Sequence, residues 1–139
     1  MSTLIRPEIT FKNKYWIDKH RHYELKHFCL QYPKWKKAYS DLTEVSVSSS
    51  KLERGASTNV PGDPTAKCAL KKASYLEKID MIERAAKKAD MELSEYILKG
   101  VTEELSYTYL KTRMNLPCGK DKYYDRYRKF FWLLSEMRN

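Results

Sequence analysis

Between Thr10 and Gln31 the chain contains neither proline nor glycine, and the next interruption is Pro33. A run of this length without a breaker leaves the backbone free to form one continuous helix, which then needs only an apolar face. Phe11, Tyr15, Leu25, Phe28 and Cys29 share such a face, while Lys12, Lys19 and Lys26 recur every seven residues on another. The pattern predicts a long amphipathic helix that breaks at Tyr32, with a short helix from Lys34 to Leu42 after it.

The same reasoning divides the rest of the chain. Residues 43–62 are rich in Ser, Thr and Gly and poor in large apolar side chains, so they read as a linker. Asp63-Pro64 is a helix start, because the carboxylate accepts a free amide of the first turn and proline there surrenders no needed donor. A helix to Ala89 is expected, its narrow line of Ala69, Leu76, Ile79, Ile82 and Ala86 packing on the first helix as a hairpin. Asp90 should cap a short helix through Leu98, with Gly100 ending it in the left-handed conformation. Ser106 starts another, in which Tyr109, Leu110 and Met114 face a core. Asn115-Leu116-Pro117-Cys118-Gly119 leads into a last helix from Lys120 to Met137.

The fold class expected is therefore all-α: a long N-terminal helical hairpin followed by a C-terminal tri-helical helix-turn-helix unit. Residues 1–42 form the amphipathic N-terminal helix, 43–62 the linker, 63–89 the middle helix packing on the first, and 90–139 the helix-turn-helix. The hairpin is expected to serve a homodimer or a second contact, since Tyr15, Trp16, Phe28, Trp35 and Tyr39 expose more ring than one thin partner helix covers.

Charge points to a partner. With 27 Lys+Arg against 18 Asp+Glu the formal net charge is +9, which favours a polyanion. The excess lies at the ends: residues 11–42 and 106–139 each hold eight basic and three acidic side chains, whereas 63–105 hold eight and nine. The ends are expected to face the partner and the middle to build the scaffold. Three widely separated cysteines, Cys29, Cys68 and Cys118, argue for free thiols in a reducing compartment, and no apolar run suits a signal sequence or a membrane span. The expectation is a soluble intracellular protein without a membrane partner.

The final helix separates two jobs. Tyr123, Tyr124, Tyr127, Phe130, Phe131 and Leu134 span a broad apolar arc suited to core packing, and Lys122, Arg126 and Lys129 cluster opposite. In a helix-turn-helix the second helix enters the major groove of double-stranded DNA while the first crosses the backbone. Arg126 is the expected base-edge contact, because a guanidinium bonds both acceptors of guanine. Lys111, Arg113, Lys120, Arg128 and Lys129 are expected on phosphates, with the Tyr123 hydroxyl as a further phosphate ligand, and Lys122 is expected among the DNA-binding residues. Asp121 and Asp125 suit the helix dipole but oppose phosphates.

In order and motifs, KYWIDKHRHYELKHFCLQYPKWKKA, a linker ending in DPTAKCA, and SYTYLKTRMNLPCGKDKYYDRYRKFFWLL, the chain resembles phage regulators of the RinA and ArpU type. The resemblance implies an activator of late transcription in the cytoplasm of a bacterial host cell, with a helix-turn-helix like that of sigma factor region 4 and host RNA polymerase as a candidate partner. Ser106 and Leu110 match the first helix of that motif, Leu116 its turn, and Tyr123, Tyr124, Arg126 and Arg128 its recognition helix. The sequence departs at Pro117-Cys118-Gly119, where the family carries a capping serine, and its turn is a residue or two longer.

Other chemistries are set aside. His20, His22, His27 and Cys29 lack the paired spacing of zinc ligands and read as surface histidines with a thiol. Cys118 beside a helix N-terminus is placed for a lowered pKa, but no base adjoins it. Four glycines, none spaced as a phosphate loop, exclude nucleotide turns, so neither an enzyme nor a cofactor is expected. The rival expectation is a small phage-encoded inhibitor, such as an anti-CRISPR protein, that binds a host protein or ribonucleoprotein; the basic charge disfavours only mimicry of DNA.

Overall fold

The computed structural model describes residues 13–52 and 64–138, and the side chains of 13–44 and 65–138. The proposed contributions of Phe11, Lys12 and Asp63 lie outside them, as do residues 53–62 of the expected linker. The fold is all-α: α1 (Lys19–Leu30), α2 (Tyr32–Leu52), α3 (Pro64–Ala89), α4 (Ser94–Glu103), α5 (Tyr107–Arg113) and α6 (Lys120–Met137). Two compact units result, one made of Met1–Gln31 with Met81–Asn139 and the other of Tyr32–Asp80.

Helix α1 starts later than periodicity suggests because Asp18 stops it. The Asp18 carboxylate accepts from the backbone N–H of His20 at 2.9 Å and of Arg21 at 3.4 Å, while its own backbone is extended. Tyr15 therefore precedes the helix. The break falls at Gln31, whose N–H turns back to Phe28 O at 3.2 Å. Pro33 sits in the first turn of α2, where a backbone N–H has no acceptor within the helix, so the proline starts α2 instead of delaying it.

In the Tyr32–Asp80 unit, α2 runs to Leu52, ten residues into the stretch read as a linker. No proline or glycine interrupts Thr43–Leu52, and extending an existing helix adds one hydrogen bond for each residue fixed, which offsets the weak propensity of serine and valine. The hairpin partner of α3 in this unit is α2. Lys78 Nζ stands 5.2 Å from the Trp35 ring centroid, Lys72 Nζ 5.9 Å from that of Tyr39, and Cys68 Sγ 3.9 Å from Leu42 O. As one helix ascends in number the other descends, which makes the pair antiparallel. Leu70 and Leu76 stay exposed, so the apolar line read along α3 is buried only from Ile79 onward.

The other unit packs α1 against α4 and α6, and α4 against α5 and α6. Its core is Leu25, Phe28 and Cys29 of α1, Ile82, Ala85, Ala86 and Ala89 of α3, Ile97 and Val101 of α4, Leu110 of α5 and Tyr123, Phe130, Phe131 and Leu134 of α6. Burying each large apolar side chain contributes about 1.5–3 kcal/mol. Phe130 and Phe131 meet edge to face at 5.0 Å, as do Tyr127 and Phe131, and Tyr15 tilts against Trp132 at 5.9 Å. Phe28 is buried beneath the Arg138 guanidinium, 4.2 Å from its centroid. Of the rings that motivated a homodimer, Phe28 and Trp35 are buried, Tyr15 packs on Trp132 and Tyr39 lies under Lys72, while Trp16 stays 37 % exposed.

Gly100 does not terminate α4. It is buried inside the helix, and the left-handed residue is Glu104, at φ 53°, with the Leu105 N–H reaching back to Gly100 O at 3.2 Å. The glycine is needed for close approach: a Cβ built there collides with Tyr123 Oη and lies 3.5 Å from Leu110 Cδ1. Helix α6 thus passes tightly over α4 because that position has no side chain. Asp90 caps the turn before α4, its Oδ1 accepting from the N–H of Glu92 at 3.0 Å and of Leu93 at 3.1 Å.

Candidate nucleic-acid interface

The α5–α6 corner is built by local chemistry. The Ser106 hydroxyl accepts from the Tyr109 N–H at 3.1 Å and starts α5, as its sequence position foretold. The helix ends when Asn115 enters the left-handed region at φ 56°, a conformation that asparagine tolerates better than most residues. This lets the Leu116 N–H return to Leu110 O at 3.1 Å and drops the Leu116 side chain into the core. Lys111 Nζ then straps the turn, donating to Leu116 O at 3.1 Å and Cys118 O at 3.2 Å, and Tyr107 Oη donates to Cys118 O at 3.4 Å. Tyr109 is exposed, since the face set by Leu110 turns it outward.

Helix α6 begins at Gly119, which is extended and offers no side-chain cap. Its first N–H groups are left to solvent or to a ligand. Lys111, Arg113, Lys120 and Lys122 are all exposed around this corner. Lys111 spends two of its three ammonium donors on the strap and keeps one.

The remaining residues singled out from the sequence are placed differently. Tyr123 is 1 % exposed, its hydroxyl lies without a hydrogen-bond partner against Gly100, and burial pushes its ionisation well above the ordinary tyrosine range. It belongs to the core and does not reach a phosphate. Arg128 and Lys129 are half-buried, and Arg128 Nε is buried without a partner. Arg126, expected on a base edge, instead points across to the α3–α4 corner. Its Nε donates to Asp90 Oδ2 at 3.0 Å and its Nη1 pairs with Asp125. Burial opposes the Asp90 charge, but the Leu93 N–H, the Arg126 guanidinium and the Glu92 N–H more than offset it and hold the carboxyl below its usual range.

His22 is no surface histidine. Its ring packs edge on against Phe131 at 4.7 Å, and burial followed by the neighbouring Lys26 charge lowers its pKa to about 4. His20 and His27 are exposed, and no group of three metal-binding side chains gathers among the described residues. The Cys118 thiol is raised, not lowered, because desolvation there outweighs the nearby Lys122 and Lys111 charges. No helix among the described residues is long and apolar enough to cross a membrane. The Asp90–Arg126 pair was missed because it joins residues thirty-six positions apart; the one available signal was the capping carboxylate of Asp90 beside a basic helix. Comparison with protein-family models, with curated proteins and with solved structures finds no match.

Proposed function

We propose that the protein is a sequence-specific DNA-binding transcriptional regulator of phage or prophage origin, acting through α5 and α6 as a helix-turn-helix. The observation that carries this reading is the set of exposed cations, Lys111, Arg113, Lys120 and Lys122, around the uncapped start of α6. Open backbone N–H groups and mobile ammonium and guanidinium groups at one corner suit phosphate oxygens. Lys122 at the start of α6 and Lys129 further along lie on the side turned from the aromatic core, where a groove would meet them. Contact with host RNA polymerase follows only from the RinA and ArpU resemblance.

The test is fluorescence polarisation with duplex fragments from the intergenic regions flanking the gene, against shuffled competitor, over a salt series. Four phosphate contacts give a log–log salt slope of about −3 to −4. Lys120→Ala with Lys122→Ala should flatten it by about 2 while weakening all fragments alike. Absence of binding, or binding without salt dependence, would refute the reading.

A second reading, an inhibitor that grips a host protein or ribonucleoprotein, draws on the 72 % exposed Met91 and 46 % exposed Tyr109, apolar side chains that suit a protein partner. Failure of every DNA fragment together with specific capture of one host complex by the wild-type chain, lost on Met91→Asp, would favour it.

A further inference from the structure

Along α6, Lys122, Arg126 and Lys129 stand at spacings of four and three, which places them on one face over about 10 Å of helix axis. Only the middle member is neutralised. Arg126 lies between two carboxylates, Asp90 at 3.0 Å and Asp125 beside it, so the centre of an otherwise basic row carries a net negative charge in the free protein.

The two ends of the Asp90–Arg126 pair are held very differently. Asp90 is fixed: its side chain is 14 % exposed, and its Oδ1 accepts two backbone N–H groups at the α3–α4 corner. Arg126 is 33 % exposed and no backbone group is paired with it in the bonds described, so its guanidinium leaves without opening the core. Its departure also leaves Asp90 with both backbone partners. The pair therefore breaks at the arginine end.

We infer that Asp90 is an electrostatic latch, holding Arg126 away from the α6 surface so that the chain binds polyanions weakly until a duplex draws the guanidinium into line with Lys122 and Lys129. The inference rests on the DNA-binding reading above and adds the residue that sets its affinity and selectivity. A site that presents guanine acceptors opposite residue 126 offers the arginine bidentate bonds in exchange for Asp90; a site that does not leaves the latch closed. Selectivity thus comes from the exchange, with phosphates contacted in either state.

Asp90→Asn tests it, because asparagine preserves the capping oxygen while removing the charge. On a bound intergenic fragment, Asp90→Asn should tighten binding about fivefold at 0.1 M salt and steepen the salt slope by about one. Arg126→Ala alone should weaken binding to that fragment by about fivefold or more and erase its advantage over shuffled duplex, and placed on Asp90→Asn should cancel the gain. Asp125→Asn, a surface change that leaves the α3–α4 corner intact, should give a smaller gain that Arg126→Ala also cancels. Unchanged or weaker binding by both asparagine variants, at unchanged helix content, overturns the latch. So does a gain that persists without Arg126, which would reflect bulk charge alone. Should the wild-type chain bind no duplex, the function fails, and elution from heparin decides the latch separately. Later elution of Asp90→Asn, reversed by Arg126→Ala, supports it, and coincident elution overturns it.

Discussion

Gly100→Ala should destabilise the protein, against the ordinary expectation for a helix interior. In an unobstructed helix, alanine is favoured over glycine by about 0.5–1 kcal/mol. At position 100 the added Cβ strikes Tyr123 Oη and packs at 3.5 Å on Leu110 Cδ1 and 3.7 Å from Leu105 O. The tyrosine has no room to retreat: it is 1 % exposed, and its ring meets Tyr124 edge to face at 5.2 Å. Forcing such a ring to move costs about 1–3 kcal/mol, so a net loss of about 1 kcal/mol is expected. Urea unfolding followed by far-UV circular dichroism should show the midpoint falling by about 0.5 M at constant slope. The cause is separable, because Tyr123→Phe removes the colliding atom. That change also deletes a buried hydroxyl without a partner and should itself stabilise by about 1 kcal/mol. In the phenylalanine background Gly100→Ala should become neutral or stabilising, a coupling of about 1–2 kcal/mol. If Gly100→Ala raises the midpoint in the wild-type background, or the two changes add without coupling, the close approach of α4 and α6 at this point is refuted.

Other changes probe the local devices. Asp18→Ala removes the cap of α1 and should cost about 1 kcal/mol in urea unfolding, with Asp18→Asn nearly silent. Lys111→Met keeps the aliphatic stem but drops the strap to Leu116 O and Cys118 O, and should cost about 0.5–1.5 kcal/mol; amide exchange should quicken first at residues 114–119. His22 makes stability depend on pH. Its pKa is about 4 folded against 6.5 for a free histidine, so the unfolded chain takes up the proton first as pH falls. The stabilisation is full above pH 6.5 and is lost toward pH 4, by at most about 3 kcal/mol. Urea midpoints across this range should fall for the wild type and flatten in His22→Phe; equal slopes in both would refute the assignment.

How much could be read in advance differs between elements. The bounds of α3, Pro64–Ala89, and of α6, Lys120–Met137, are those expected from the sequence. The Ser106 cap and the buried Leu110 were equally legible, since a cap acts over three residues and periodicity over one turn. Gly100 was misread because glycine serves either a left-handed turn or a close approach, and which one depends on the helix that lies above it. The serine-rich stretch Thr43–Leu52 was misread because composition weighs propensity, whereas a helix already begun extends until a breaker stops it.

The cluster of Lys111, Arg113, Lys120 and Lys122 also follows from sequence, because their helices are joined by one short turn and every member lies near it. The state of Tyr123, His22 and Arg126 does not follow, because each is decided by a group far along the chain: Gly100 on α4, Phe131 on α6 and Asp90 at the α3–α4 corner. Sequence alone determined an all-α chain with a basic C-terminal helix pair, through forces that act over a few residues. Tertiary packing decided which polar side chains on that pair remain free to meet a partner, because ion pairs and burial act through space and take whichever group the neighbouring helix presents.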